Sequence, residues 1–411
     1  MKVLHINASD VGSTGKIIQD ISRYAGNNGW ESVALFPKRN RPADPHMKEY
    51  VTAFPGEQGL YRRLCKFCGH QYGFAPLATA RILGILRNEK PDVVHLHSIN
   101  SHCVNIYRLA AFLKKRKIPT VVTNHAEFFY TGNCANAYFC ENWKTGCNNC
   151  PKPFMATGCR FFPRPRRGWE KMQKAFAGLS NAHIVSVSPW CHNRSVQSPI
   201  LAGLPQSVVV NGVNCAIFSH KERWVAREKL ELSQNEKIIL HVTAAFSDRA
   251  GHLKGGEHLI SLAKQLRDEN VRILVAGNAR VEGMLPENIT LLGPIRDQNL
   301  LAEYYAAADL AVVVSQWETF GMSVAEAMCC GTPVAGFESG GSESIALLQF
   351  SEFVPFGDVQ RLKEIICTKW LTYKTDEKSL EIARAAKEKY AAEVMAKGYL
   401  DVYEALLSKQ G

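Results

Sequence analysis

Short apolar runs recur along the chain, spaced so that each pair leaves room for one helix. Residues 3–6, 32–36, 92–96, 120–123 and 183–187 are rich in Val, Ile, Leu and Thr and read as strands, with helix-length segments between them. Strands alternating with helices in this way predict a parallel sheet covered by helices. After the run 207–210 the pattern begins again. Residues 237–242, 271–276, 289–292 and 310–314 read as strands, and 257–266, 298–307 and 323–328 as helices. The restart predicts an α/β protein of two doubly wound, Rossmann-like domains, and 411 residues exceed the size at which one core stops growing. The connection is expected near residues 202–205, which sets the domains at 1–205 and 206–385. Residues 376–409, rich in Ala, Glu, Lys and Leu, read as one or two helices, with 386–411 expected to pack back on the first domain. No internal repeat, low-complexity run or long linker is evident. Two such sheets facing each other leave a cleft lined by the carboxyl ends of strands, where α/β proteins bind ligands.

Composition changes this picture mainly through charge. The net charge of +11 is uneven: residues 1–205 hold 27 basic and 11 acidic side chains, against 22 and 27 in the remainder. Clusters at Lys38-Arg39, Arg62-Arg63, Lys114-Lys115-Arg116-Lys117 and Arg164-Pro165-Arg166-Arg167 build the asymmetry. Such a half is drawn to anionic surfaces, at roughly 1 kcal/mol per basic residue near acidic lipid. Any one cluster taken alone is ordinary solvated surface. The chain opens on a strand without a charged leader, and no run approaches the ~20 apolar residues of a membrane span. The expectation is a cytoplasmic protein, peripheral on the inner face of the cytoplasmic membrane.

The candidate chemistry is concentrated in Gln316-Trp317-Glu318-Thr319-Phe320-Gly321-Met322-Ser323-Val324-Ala325-Glu326, between an apolar strand and a helix. A helix N-terminus offers unpaired N–H groups and partial positive charge to an anion, so Gly321 and the amides after it are expected to cradle phosphate. Glu318 before the turn and Glu326 two helical turns later are expected to face one crevice. Ionised carboxylates only accept hydrogen bonds, which suits sugar hydroxyls. The bland alternative is a helix-capping Glu318 and a solvated Glu326.

Further motifs lift this pair above that alternative. Gly12-Ser13-Thr14-Gly15 follows the first strand, Asp92-Val93-Val94-His95-Leu96-His97 is a buried strand ending in histidine, and Val121-Val122-Thr123-Asn124-His125 is another. Val187-Ser188 and Asn211-Gly212-Val213-Asn214 flank the domain connection, and Leu253-Lys254-Gly255-Gly256 precedes a helix. In this order, over residues 3 to 345, they resemble the retaining glycosyltransferases of family 4, which have the GT-B fold. The nearest likeness is to the branch building bacterial exopolysaccharide and O-antigen, such as the colanic-acid transferases, through Thr131-Gly132-Asn133-Cys134 and Trp143-Lys144-Thr145-Gly146-Cys147-Asn148-Asn149-Cys150-Pro151.

The resemblance implies a nucleotide diphosphate sugar donor, a UDP- or GDP-sugar, held mainly by the second domain. Lys254 and Arg249 are expected to stabilise the departing diphosphate. The family's arginine usually sits in a Gly-Arg pair directly after a strand, whereas Arg249 follows Ser247-Asp248. Glu326 is expected on the ribose and Glu318 near the donor sugar. Gly321, Met322 and Ser323 are expected to offer backbone N–H groups, and Gly12 and Gly15 to let backbone approach the diphosphate because a Cβ there would crowd it. His125 is expected to contact a hydroxyl of the donor sugar as a positioning group. The family's usual Asp after this histidine is Ala126 here, followed by Glu127. Retention in the family is explained by front-face displacement, which needs no protein nucleophile, and no catalytic cofactor is implied.

Thirteen cysteines is a high number, and Cys134, Cys140, Cys147 and Cys150 fall close together in an insert at about 131–160. In a reducing compartment such a set suits structural zinc, with unliganded or redox-active thiols and an iron–sulfur centre as alternatives. Cys65, Cys68 and Cys159 are expected to be buried or incidental. The basic first domain fits a lipid-diphosphate-linked saccharide acceptor at the inner membrane surface, with Tyr61-Arg62-Arg63-Leu64-Cys65-Lys66-Phe67 as an amphipathic patch. Two other readings are a zinc-containing nucleic-acid binder and a nucleotide-sugar epimerase. The first leaves the glutamate and lysine motifs unexplained and conflicts with the acidic second half, so no nucleic-acid partner is expected. The second has no use for a basic acceptor half.

Overall fold

The computed structural model describes residues 1–69 and 71–409, with Cys68 described in its backbone alone. Contacts divide the chain into one unit of Met1–Val209 with Met395–Gly411 and a second of Val210–Val394. The first break thus falls four residues beyond the expected 205/206.

The first unit holds seven parallel strands: β1 (Lys2–Ile6), β2 (Glu31–Phe36), β3 (Lys48–Val51), β4 (Val93–Leu96), β5 (Thr120–Asn124), β6 (Ala182–Ser186) and β7 (Gln206–Val208). Their order is β3-β2-β1-β4-β5-β6-β7. Alternate side chains feed two separate layers. Leu4, Val94, Val122 and Ile184 enter one core, while Val3, Val93, Val121 and Val185 enter another with Tyr399 and Tyr403. Burial on both faces explains why these strands read as unbroken apolar runs.

The second unit holds β8 (Lys237–Ser247), β9 (Val271–Arg280), β10 (Ile289–Gly293), β11 (Leu310–Val313), β12 (Val334–Phe337) and β13 (Ser351–Val354), in the order β10-β9-β8-β11-β12-β13. Its core gathers Ile239, Ile273, Leu310, Val312 and Phe337 under Leu259, Leu262 and Trp370. Counted from the first strand of each unit, the sheets run 3-2-1-4-5-6-7 and 3-2-1-4-5-6, the doubly wound order with one added strand in the first. The fold is α/β, two Rossmann-like units.

Three strands escape the apolar pattern. β3 is a Lys-Glu-Tyr-Val edge strand, β12 contains Gly336, and β13 begins Ser-Glu. β8 and β9 also run beyond their apolar cores as a paired, largely exposed extension past a bulge between Val242 and Ala245. The C-terminal segment forms two helices, Asp376–Tyr390 and Ala392–Ser408. Ala391 breaks them with extended backbone, and the freed groups pair with Val213: its N–H donates to the Tyr390 carbonyl and its carbonyl accepts from Ala392 N–H. Met395, Ala396, Tyr399 and Tyr403, on one face of the second helix, complete the core beneath β1, β4 and β5. Among the described residues no helix is long and apolar enough to cross a membrane.

Candidate functional site

In each sheet the strand order reverses beside the unit's first strand, between β1 and β4 and between β8 and β11. The crevice outside the carboxyl ends of strands at such a switch point is where open α/β sheets bind ligands. In the second unit the loop after β8 carries Arg249 and Lys254, and the loop after β11 carries Glu318 and Gly321. Lys254 Nζ lies 2.6 Å from Glu318 Oε1, both partly exposed. Backbone bonds stitch these loops to the one after β12: Gln316 N–H donates to Leu253 O, Glu318 N–H to Ser339 O, and Gly341 N–H to Glu318 O. Gly255 makes the approach possible, since at φ +67° an added Cβ would fall 1.9 Å from Val314 O.

Gly321 is held at φ +90°, where a Cβ would meet Ser342 Oγ at 2.6 Å, and the helix Met322–Cys329 opens after it without a side-chain cap. Its first amides, Met322 and Ser323 included, therefore face anion chemistry with no competing side-chain acceptor at the cap. Glu326, on the same helix, accepts from Tyr305 OH at 3.2 Å. Burial and the nearby carboxylate drive the Tyr305 phenol far above its ordinary pKa, so it stays a donor. His241 lies under the pair; burial lowers its pKa to about 4, and it bonds Val312 O through Nδ1. Thus Lys254 and Glu318 are brought together, whereas Arg249 is exposed and makes no ion pair among the described residues. Tyr305 and His241 carry no motif and were not anticipated.

In the first unit, Gly12 takes φ +78° with nothing within 4 Å of an added Cβ, so its requirement is conformational. At Gly15 a Cβ would sit 2.6 Å from the Asp10 carbonyl, so the chain's own turn already requires glycine there. That turn is anchored by the Asp10 carboxylate, which accepts from Asn40 N and Nδ2 and from Arg41 N. His125, just past β5, is one of a set of histidines on a single sheet face. His5 Nδ1 lies 3.1 Å from His97 Nε2, and His97 Nδ1 lies 3.1 Å from His125 Nε2. His95 bonds Tyr403 OH and Thr123 Oγ1 instead, and its ring lies tilted against that of His97 with centroids 3.8 Å apart. Burial drives the pKa values of His5 and His125 down to about 3, and those of His95 and His97 well below the ordinary range. His5, His95 and His97 are the one trio among the described residues whose ligand atoms lie within 4.8 Å of one another. Both nitrogens of His95 and of His97 are already bonded to Tyr403, Thr123, His5 and His125, so these rings are committed within the fold.

Glu127 is fully buried. It accepts from Tyr130 OH, Ala137 N–H and Arg194 Nε, and Arg194 in turn lies over the rings of Trp143 and Trp190. This carboxylate braces the cysteine-rich insert. Cys134, Cys140 and Cys150 line one cavity of about 430 Å³, while Cys147 Sγ turns to Thr131 O. Burial and mutual proximity raise the thiols of Cys134, Cys147 and Cys150. Among the described residues no three of these sulfurs come within 4.8 Å of one another, while all four lie near enough to act on one another's thiols. The insert is ordered around Glu127, Arg194 and the buried Trp143. Cys65 and Cys159 are buried, and the Cys68 side chain lies outside the described residues.

Comparison with known proteins places these units. Residues 14–217 match the family model "Glycosyltransferase Family 4", and residues 222–389 match "Glycosyl transferases group 1". The D-inositol 3-phosphate glycosyltransferase of Segniliparus rotundus is 34% identical over 148 residues, 33% of this chain and 32% of that protein. The Mycolicibacterium smegmatis protein of the same name is 32% identical over 148 residues with the same coverage. The match therefore spans about a third of the length of these curated relatives. Among solved structures, sucrose-phosphate synthase from Thermosynechococcus elongatus aligns over 100% of both chains with TM-score 0.67 and 17% identity. Anabaena HepE in complex with UDP aligns over 98% of this chain and 100% of its own, with TM-score 0.66 and 18% identity. At such identities the structural likeness speaks for the fold. Two consecutive family models running from residue 14 to residue 389, on two sheets of doubly wound order, assign the protein: it belongs to the GT-B glycosyltransferases, with a Family 4 first unit and a group 1 second unit.

Proposed function

We propose that this protein moves a sugar, with retention of configuration and without a catalytic metal, from a nucleotide diphosphate sugar to a lipid-diphosphate-linked saccharide in bacterial surface-polysaccharide synthesis. The observation that carries the donor part is the Lys254–Glu318 pair at the β8/β11 switch point, beside the uncapped helix that begins at Met322 and carries Glu326. Lys254 and the Met322 and Ser323 amides take the diphosphate, Glu326 the ribose, and Glu318 the sugar. Arg249 reaches the phosphates from its exposed loop. His125 contacts a sugar hydroxyl. Fixed cations and helix-terminal amides stabilise the leaving diphosphate without reorganising, which is the chief electrostatic need of this chemistry. Related folds solved with UDP and UDP-glucose favour a uridine nucleotide.

The acceptor part draws on the helix Glu57–Cys68. Tyr61 and Cys65 face inward, while Leu60, Leu64 and Phe67 are exposed at helical spacing, with Phe67 stacked on Phe161. Arg62, Arg63 and Lys66 are exposed beside them. An apolar stripe flanked by cations suits an anionic membrane surface, where a lipid-linked acceptor would be met. Incubation with UDP- and GDP-sugars and a polyprenyl-diphosphate-linked saccharide tests the whole reading. An α-linked product from an α-configured donor, formed in the presence of EDTA, supports it; an inverted product or loss of turnover with EDTA refutes the mechanism.

A further inference from the structure

Two cysteines of the second unit lie in contact beside the helix that carries Glu326. Cys329 is the last residue of that helix, Met322–Cys329, and Cys215 stands 114 positions earlier, two residues after Val213. Their Sγ atoms are 3.9 Å apart, and closing that gap to a disulfide takes about 2 Å. Cys329 is buried, whereas Cys215 is only half-buried. The backbone on either side of Cys215 is held. Val213 is bonded to Tyr390 and Ala392, and the Asn214 carbonyl accepts from Ile217 and Phe218 N–H. Glu326 precedes Cys329 by three positions, so the two side chains are neighbours on the helix surface.

A buried cysteine is ordinarily inert, because burial disfavours the thiolate that reacts. The contact divides the pair into two unlike members. The S–H of Cys329 donates to Cys215 Sγ, and this bond, with Lys387 nearby, lowers the Cys215 thiol against the opposing effects of burial and Glu393. The same bond and burial drive the Cys329 thiol far up, so it keeps its proton. A half-buried sulfur that ionises, set against a second thiol, is the arrangement in which oxidation of the first is resolved by the second.

We infer that Cys215 and Cys329 are a modification site for peroxide, closing reversibly to a disulfide that ties the end of the Met322–Cys329 helix to the segment after Val213. The Cys215 thiolate attacks one oxygen of hydrogen peroxide, the O–O bond breaks, and the departing hydroxide takes up the proton that Cys215 released. Cys215 is then a sulfenic acid. The Cys329 sulfur attacks it, the S–O bond breaks, and the hydroxide leaves as water with the Cys329 proton. Two thiols and one peroxide thus give one disulfide and two waters. A dithiol reverses the step: one of its thiolates opens the bond to a mixed disulfide, its second thiol closes its own disulfide, and both cysteines regain their protons. In a reducing compartment the bond is therefore transient. The site stands on the contact between the two sulfurs; its effect on the donor rests on the proposed function. Because the turn around Cys215 is held, closure draws on the last turn of the helix, where Glu326 projects beside Cys329. Oxidation displaces the carboxylate that takes the ribose.

Peptide mapping by mass spectrometry reads the site directly. The full chain is reduced, freed of reductant, treated with hydrogen peroxide, alkylated while unfolding and digested. A peptide pair joined through Cys215 and Cys329 is expected, and dithiothreitol added before alkylation should remove it. In Cys215→Ser the link is absent and Cys329 is alkylated in full. Cys215 and Cys329 both fully alkylated after peroxide, or Cys215 carried on to sulfinic acid without a link, overturns the inference. If Cys215→Ser fails to fold, the wild-type map alone decides. Calorimetric titration with UDP-sugars then compares the oxidised and reduced forms. The oxidised protein should bind roughly tenfold more weakly, one charged hydrogen bond's worth, with recovery in dithiothreitol and no effect of peroxide in Cys215→Ser. Equal affinity of the two forms overturns the coupling to the donor. A link that forms in a protein binding no nucleotide sugar would refute the proposed function and leave the peroxide site standing.

Discussion

Replacing Lys254 by Met separates binding from folding. The Lys254–Glu318 pair is short at 2.6 Å, but the two side chains are 31% and 24% exposed, so water screens much of the attraction. Partly exposed pairs contribute about 0–1 kcal/mol to stability, and Met retains the apolar stem of the lysine. The loops do not depend on the pair, since the Gln316–Leu253 and Glu318–Ser339 backbone bonds join them independently. A charged hydrogen bond to a diphosphate is worth about 1.5–3 kcal/mol, which converts to roughly a 10- to 100-fold weaker Kd. Denaturant unfolding and calorimetric titration with UDP and UDP-sugars measure the two effects on one preparation. The expected outcome is near-native stability with affinity reduced by one to two decades. Native affinity would show that Lys254 does not touch the donor. A stability loss above about 3 kcal/mol would show that the pair is a structural ion pair, contrary to its exposure.

Gly255→Ala should cost more than about 2 kcal/mol and abolish donor binding, because the new methyl meets the Val314 carbonyl in a left-handed conformation; near-native unfolding would mean that the loop relaxes freely. Glu127→Ala takes the buried acceptor from Tyr130 OH, Ala137 N–H and Arg194 Nε, leaving Arg194 only its pair with Glu141, and should cost about 1–3 kcal/mol, with proteolysis first appearing within residues 131–160; a protein as resistant as wild type would remove Glu127 from its bracing role. Buried Lys374 has its pKa lowered to about 7 by desolvation from an ordinary 10.5, while its ammonium donates to Ala306 O, Ala308 O and Thr332 Oγ1. Between these values the unfolded chain binds more protons than the folded one, so stability attributable to this residue rises from pH 7 towards 10.5. The stability of wild type relative to Lys374→Met should therefore increase over that window, and a difference flat in pH would refute the assignment.

The doubly wound class was legible because parallel strands are buried on both faces, so 92–96 and 310–314 announce themselves as apolar runs. β3 and β13 were not, since an edge strand such as Lys48–Val51 needs no apolar face and is held by backbone pairing with β2. The extension of β8 was hidden for a similar reason: its last residues pair with β9 past a bulge that Gly277 permits at φ +149°. At the site, the ion pair of Lys254 with Glu318 joins residues 64 positions apart, and only the motif order hinted at it. Tyr305 and His241 owe their positions to packing against Glu326 and β11, which no local pattern encodes. The glycines were legible as special positions, and at Gly15 the chain's own turn already requires one. The cysteine spacing marked the insert as a unit, and the fold gathers Cys134, Cys140 and Cys150 on one cavity with Cys147 beside them, while a buried Glu127–Arg194 pair that no local pattern announces orders the insert.

The most direct test of the account is a thermal-shift titration of wild type and Glu326→Ala with UDP-, GDP- and ADP-sugars. The account predicts that one nucleotide class raises the melting temperature of the wild type in a saturable way, and that Glu326→Ala, which loses the ribose acceptor beside Tyr305, folds but loses most of the shift. No shift with any nucleotide sugar, or an equal shift in Glu326→Ala, would contradict a donor site at the β8/β11 switch point.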